Sequence, residues 1–174
     1  MSRKLSIRKH ILSVLTGILV LFASGIYAQE VAEIKPGSDF PSVSLTDQHD
    51  ENASITQEIQ KILFVSDMDA SKIVHKILEK DGDVLLNANQ AAFISDIHRM
   101  PSLITKFVAL PKMKGYSYRM RLIRDDKTGS FFPQNKGSVT LIRLEKGKVV
   151  TVDFTNEEEK LKTFLVSPKP NSKK

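Results

Sequence analysis

Between Lys61 and Leu78 the chain changes its hydrophobic period. Lys61-Ile62-Leu63-Phe64-Val65 is an apolar run behind one lysine, the pattern of a central strand covered on both faces. From Ala70 onward Ile73, Val74, Ile77 and Leu78 recur on one helical face. A buried strand that runs directly into an amphipathic helix commits the chain to an α/β layer structure. The joint between them is Asp67-Met68-Asp69-Ala70-Ser71. In open α/β sheets ligands bind outside the carboxyl ends of such strands. Asp69 or Ser71 is suited to cap the helix, and Asp67 with Asp69 to cap it and take up its first N–H groups.

The remaining pattern extends this unit. Phe40 to Leu45 alternates as a half-buried strand does, and Thr46 to Asp50 reads as a turn. Asp81-Gly82-Asp83 reads as a helix stop, with Val84 to Gln90 leading into a buried strand at Ala91–Ile94. Pro101 to Ala109 reads as a helix that packs through Leu103, Ile104, Phe107 and Val108, ended by Pro111 and Gly115. Tyr118 to Ile123 alternates as a strand, and Asp125 to Gly129 reads as a turn. Val139–Leu144 and Lys148–Phe154 are rich in β-branched residues and flank Glu145-Lys146-Gly147, a hairpin signature. Asn156 is placed to cap a last helix that has Glu157, Glu158 and Glu159 in its first turn and docks through Leu161, Phe164 and Leu165.

The first 28 residues stand apart. Arg3, Lys4, Arg8 and Lys9 precede an apolar run, Ile11 to Phe22, and then small residues to Ala28. That order is the layout of a secretory signal peptide, with an uncleaved membrane anchor as the alternative. The run is shorter than the ~20 residues that span a bilayer. Residues 1–28 are therefore expected to be a leader, 29–166 the folded domain, and 167–174 a disordered basic tail. The leader holds four of the 26 basic residues and no acid, which leaves 22 against 20 acidic ones. The formal charge of +6 thus reflects the leader and gives no sign of nucleic-acid binding. The chain has no cysteine. That excludes thiol nucleophiles, dithiol exchange, Cys-ligated zinc and iron–sulfur clusters.

The order of elements resembles the thioredoxin fold, and more closely its redoxin or peroxiredoxin-like branch. Gly37-Ser38-Asp39-Phe40-Pro41-Ser42-Val43-Ser44-Leu45-Thr46-Asp47-Gln48-His49 is similar to the redoxin opening, and Val139 to Val150 to the family's hairpin. With Phe64 to Leu78 the likeness spans roughly residues 36–166. Asp67-Met68-Asp69, Met100-Pro101, Leu110-Pro111-Lys112-Met113 and Tyr118-Arg119-Met120 also resemble a group of small exported proteobacterial proteins. Some of that group bear a flavin-dehydrogenase name. Here no Gly-x-Gly-x-x-Gly follows a strand and no flavin domain fits, so no cofactor is expected. The resemblance implies a central mixed sheet with helices on both faces. It also marks what is missing. The family's cysteine pair belongs where Asp67 to Ser71 stands, and its cis-proline where Ser138 or Val139 stands, with Pro133 several residues too early.

Other constellations compete for the joint. Asp67-x-Asp69-x-Ser71 is similar to the opening motif of haloacid dehalogenase-like phosphatases, in which the first aspartate is a nucleophile beside Mg²⁺. Ser95 and Asp125-Asp126 would then supply the later motifs, although no lysine occupies an obvious third position. His98, Met100 and Asp67 would be a conceivable metal set, and Met68, Met100, Met113 and Met120 a soft copper surface or simply core. His49 and His75 have no metal-ligand spacing, and His75 is expected at a solvated or boundary position. Arg119, Arg121, Arg124 and Arg143 would line one face for an anion if their strands paired.

The reading is a periplasmic, cysteine-free thioredoxin-like binding or adaptor domain. It would hold a partner protein, a peptide or a small ligand. The site is placed at Asp67, Met68, Asp69 and Ser71 together with Ser138 and Val139. Nucleic acid is not expected as a partner, and membrane contact only through an uncleaved leader. The alternative is a metal-dependent phosphohydrolase using Asp67 and Asp69.

Overall fold

The computed structural model describes residues 33–168. Residues 1–32, which include the expected leader, and residues 169–174 of the expected tail lie outside them. Within them are strands β1 (Thr46–Asp47), β2 (Lys61–Val65), β3 (Ala91–Asp96), β4 (Met120–Ile123), β5 (Val139–Glu145) and β6 (Lys148–Thr155). They form one mixed sheet in the order β1-β4-β3-β2-β5-β6. The β2–β3 and β3–β4 pairs are parallel, while β1–β4, β2–β5 and β5–β6 are antiparallel.

Every residue of β2 is buried because both sheet faces are covered. Leu63 and Val65 point to one core and Ile62 and Phe64 to the other, as the two-residue period requires. The first core receives α1 (Met68–Leu78) through Val74 and Leu78, and the C-terminal helix through Leu161 and Leu165. The second is closed by Ile34, Val43, Leu45 and Phe132, with the Phe132 ring stacked on Phe64 at 4.6 Å. Full burial of one such side chain is worth roughly 1.5–3 kcal/mol.

Several elements differ from the sequence pattern. Phe40 to Leu45 is not a strand; Val43 and Leu45 are buried without a ladder, and only the Asp39 end bridges to Lys148. α1 ends at Leu78, just before Asp81 to Asp83 as expected, but Gly82 then opens α2 (Gly82–Ala88), which replaces the lead-in expected from Val84 to Gln90. Gly82 is the reason. A Cβ there would stand 2.6 Å from the Tyr118 ring, so the bare backbone lets the new helix start against that ring. Tyr118 to Ile123 forms ladder only from Met120.

The segment after β3 departs furthest from expectation. α3 (Ser102–Ile104) passes through a π-helical turn, Thr105–Ala109, into α4 (Leu110–Lys114). Pro111 lacks the N–H that an α-helix needs there and its ring would meet the carbonyl four residues back. The wider turn just before it accommodates both defects. Leu103, Ile104, Phe107 and Val108, expected to pack inward, are instead 69, 47, 66 and 57% exposed. Met113 takes the inward position.

Beyond β4, Asp125 and its neighbours form a short helix, α5 (Asp126–Gly129), with the Asp125 carboxylate accepting the Thr128 N–H at 2.9 Å. The β5–β6 hairpin turns at Lys146 and Gly147, both with positive φ (50° and 78°), as the favoured two-residue hairpin requires. The last helix, α6 (Glu158–Val166), begins one residue later than expected. Thr155 Oγ1, rather than Asn156, accepts the Glu157 N–H at 3.1 Å. The buried Lys61 ammonium donates to the Leu165 and Ser167 carbonyls and ties the end of α6 to the start of β2. The first tail residue is thereby anchored.

Candidate functional site

β2 ends at Val65, and Asp67 stands at the N-cap of α1 with extended backbone. Its Oδ1 accepts the N–H groups of Asp69 and Ala70 at 3.0 Å each. Its Oδ2 accepts the N–H of Gly137 at 2.8 Å. Burial alone would raise this carboxyl. The N–H groups of Ala70, Gly137 and Asp69, with the Lys136 charge, outweigh it and hold the group below its ordinary value. Asp67 is therefore the cap, rather than Asp69 or Ser71. It also stitches the joint to the loop before β5, the juxtaposition implied by the thioredoxin resemblance. Asp69 points to solvent and pairs with Lys72 at 3.0 Å. Ser138 is half-buried in that loop, and Val139 is fully buried in the core.

Met68 and Ser71 turn the other way. With Asp67 they line a cleft of 620 Å³ between α1, the end of β3 and the α3–α4 segment. Met68, 65% exposed, stands on the α1 side, and Ile104 and Val108 on the opposite wall. Ile97, Met100 and Met113 supply apolar surface between them. Cations also line it: Lys72 from α1, Arg99 after β3 and Lys112 from α4.

His75 and Tyr116 reach the cleft together. His75 Nδ1 is hydrogen-bonded to the Tyr118 hydroxyl, and the Tyr116 and Tyr118 rings stack at 5.2 Å. His75 is half-buried, the boundary position expected for it. Burial, and then the Lys112 charge, push the imidazole down to about 4, so it is neutral at pH 7. Burial, followed by Tyr116 and Glu79, raises the Tyr118 phenol.

At the end of β3 the Asp96 carboxylate accepts both the backbone N–H of His98, at 3.1 Å, and its Nδ1–H, at 2.6 Å. His98 Nε2 lies 3.3 Å from Asp126 and accepts the Arg99 Nε–H at 3.3 Å. Among the described residues no hydroxyl is hydrogen-bonded to that nitrogen.

The phosphohydrolase alternative finds no support. Asp67 spends its lone pairs on backbone N–H groups, and Asp69 is exposed. Asp125 caps α5, Asp126 is 87% exposed, and the sheet has three mutually parallel strands. Among the described residues no three His, Asp or Glu side chains are disposed to share a metal ion. Met68, Met100 and Met113 line the cleft together, whereas Met120 is fully buried in the first core, so the four methionines do not form one surface. The arginine face does not assemble either, because β3 and β2 separate β4 from β5. Arg119 instead meets Asp47 at 2.8 Å, Arg124 meets Asp50 at 2.8 Å, and Arg143 stacks on Phe164.

No protein-family model and no curated protein sequence matches the chain. Solved structures do. A disulfide-isomerase-like protein from Bacteroides thetaiotaomicron aligns with TM-score 0.51 and 18% identity over 76% of this chain and 86% of its own. Peroxidoxin BcpB from Mycobacterium tuberculosis aligns with TM-score 0.52 and 11% identity over 76% and 95%. A thiol:disulfide interchange protein from Bacteroides sp. aligns with TM-score 0.50 and 12% identity over 80% and 95%. At such identities the likeness speaks for architecture alone. The chain has the thioredoxin-like fold, without a cysteine anywhere in it.

Proposed function

We propose that this protein is an exported, non-catalytic binding domain, and that it holds an apolar ligand or partner segment in the cleft beside Asp67–Ser71. The carrying observation is the wall of that cleft. Helix α3 and the π-turn turn Leu103, Ile104, Phe107 and Val108 toward solvent, and of these Ile104 and Val108 line the cleft opposite an exposed Met68. Large unpartnered apolar surface next to a concavity of this size is characteristic of binding sites. The joint that carries thiols in the redox branch carries an internally satisfied aspartate here, which fits a fold retained for binding. Export rests on the basic, apolar, small-residue order of residues 1–28 and places the domain in the periplasm.

The test is titration of the purified chain with an uncharged environment-sensitive dye. Saturable fluorescence enhancement is expected, abolished by Val108→Asp with the unfolding midpoint retained. A dye response that Val108→Asp leaves intact would move binding away from this cleft. Export is checked by cell fractionation and N-terminal sequencing, with a mature protein starting at Gln29 as the expected result.

A further inference from the structure

We infer that the cleft selects an anionic amphiphile, a single aliphatic chain ending in a carboxylate, and that Arg99 and Lys112 receive the charged end. This rests on the cleft being the binding site. It goes further in naming the ligand class.

The charge distribution points to an anion. Three cations and two acids line the cleft. Both acids are already engaged, Asp67 by three backbone N–H groups and Asp96 by the two donors of His98. Lys72 has Asp69 as its partner. Among the described residues Arg99 and Lys112 have no carboxylate within ion-pair distance, although both are exposed beside apolar surface. A carboxylate offers the charge they lack, and Arg99 can bind it through two N–H groups.

The walls point to an aliphatic chain rather than an extended peptide. The strand at the cleft, β3, is hydrogen-bonded on both sides, to β2 and β4. It offers no free edge to a peptide backbone. A peptide laid along Ile97, Met100, Ile104 and Val108 would leave N–H and C=O groups unpaired in apolar surroundings. A methylene chain has no such groups. The flexible side chains of Met68, Met100 and Met113 adapt to its contour.

The experiment is isothermal titration of the full chain with dodecanoate, dodecan-1-ol and dodecyltrimethylammonium below their aggregation concentrations, beside octanoate and decanoate. Dodecanoate is expected to bind at least about tenfold more tightly than the alcohol, and the cation not at all. Affinity should rise with length by up to roughly fourfold per methylene. Arg99→Gln with Lys112→Gln should bring dodecanoate down to the level of the alcohol and leave the alcohol unchanged. Equal binding of acid and alcohol, or a preference for the cation, overturns the inference while the cleft remains a binding site. Failure of all these chains and of the uncharged dye overturns the cleft itself.

Discussion

The Asp67 carboxylate and the Gly137 N–H meet at 2.8 Å across a sequence separation of 70 residues. One side chain thus both caps α1 and holds the loop that leads into β5. Asp67→Ala removes three acceptor contacts and is expected to cost about 2–4 kcal/mol. Asp67→Asn keeps the cap but sets an amide donor against the Gly137 N–H, at about 1–3 kcal/mol. Asp69→Asn, at an exposed ion pair, should cost less than about 0.5 kcal/mol. Urea denaturation reads all three. Equal losses at the two aspartates would contradict the assignment.

His75 makes stability depend on pH. Its folded value, about 4, lies below its ordinary 6.5, so between those values the unfolded chain binds the extra proton. The stabilisation is complete above pH 6.5 and is lost as pH falls toward 4. After allowance for partial solvent screening the loss is about 1–3 kcal/mol. His75→Gln should flatten this part of the profile, measured as unfolding free energy at pH 7, 6, 5 and 4.

The outward ridge on α3 and the π-turn has a direct stability signature. Leu103→Gln and Phe107→Gln should each change the unfolding free energy by less than about 0.5 kcal/mol, since neither side chain is in a core. Phe93→Ala, in the first core, should cost about 3–5 kcal/mol. A loss above 1 kcal/mol at Phe107 would mean that the helix packs the other way.

Gly82→Ala tests the start of α2. Alanine is the better helix former by about 1 kcal/mol. Its Cβ would nevertheless lie 2.6 Å from Tyr118 Cδ1 and 2.8 Å from Leu78 Cβ. Net destabilisation of about 1–3 kcal/mol is expected in thermal melts. A stabilised variant would show that the Tyr118 ring yields freely.

The elements that could be read in advance are those whose pattern has one solution. Ile62 to Val65, the α1 face of Val74 and Leu78, and the β5–β6 hairpin with Gly147 each satisfy a single period or turn geometry. The α3–α4 segment does not. Leu103, Ile104, Phe107 and Val108 form one apolar stripe, while Ala109, Leu110 and Met113 form another. The sequence signal for an exposed stripe was that surplus, together with Pro111 inside the helical pattern. Periodicity alone cannot say which stripe meets the core. At the joint, the aspartates were visible as cap candidates, but their division of labour was not. Arg99, Lys112 and His75 come to one cleft from three separate segments, and no spacing along the chain marks them as neighbours.

Local chemistry determined the α/β class, the strand-to-helix joint and the absence of any thiol function, because periods of two and 3.6 residues and the lack of a sulfhydryl are properties of the chain itself. Tertiary structure decided what the joint does. Whether a carboxylate is a nucleophile, a metal ligand or a cap depends on which N–H groups reach it, and one of those at Asp67 comes from Gly137. It also opened the cleft on the α3–α4 side of Asp67 and buried Val139. Val139 faces the core of a sheet whose order is set by long-range pairing, while the π-turn before Pro111 releases the apolar ridge to solvent.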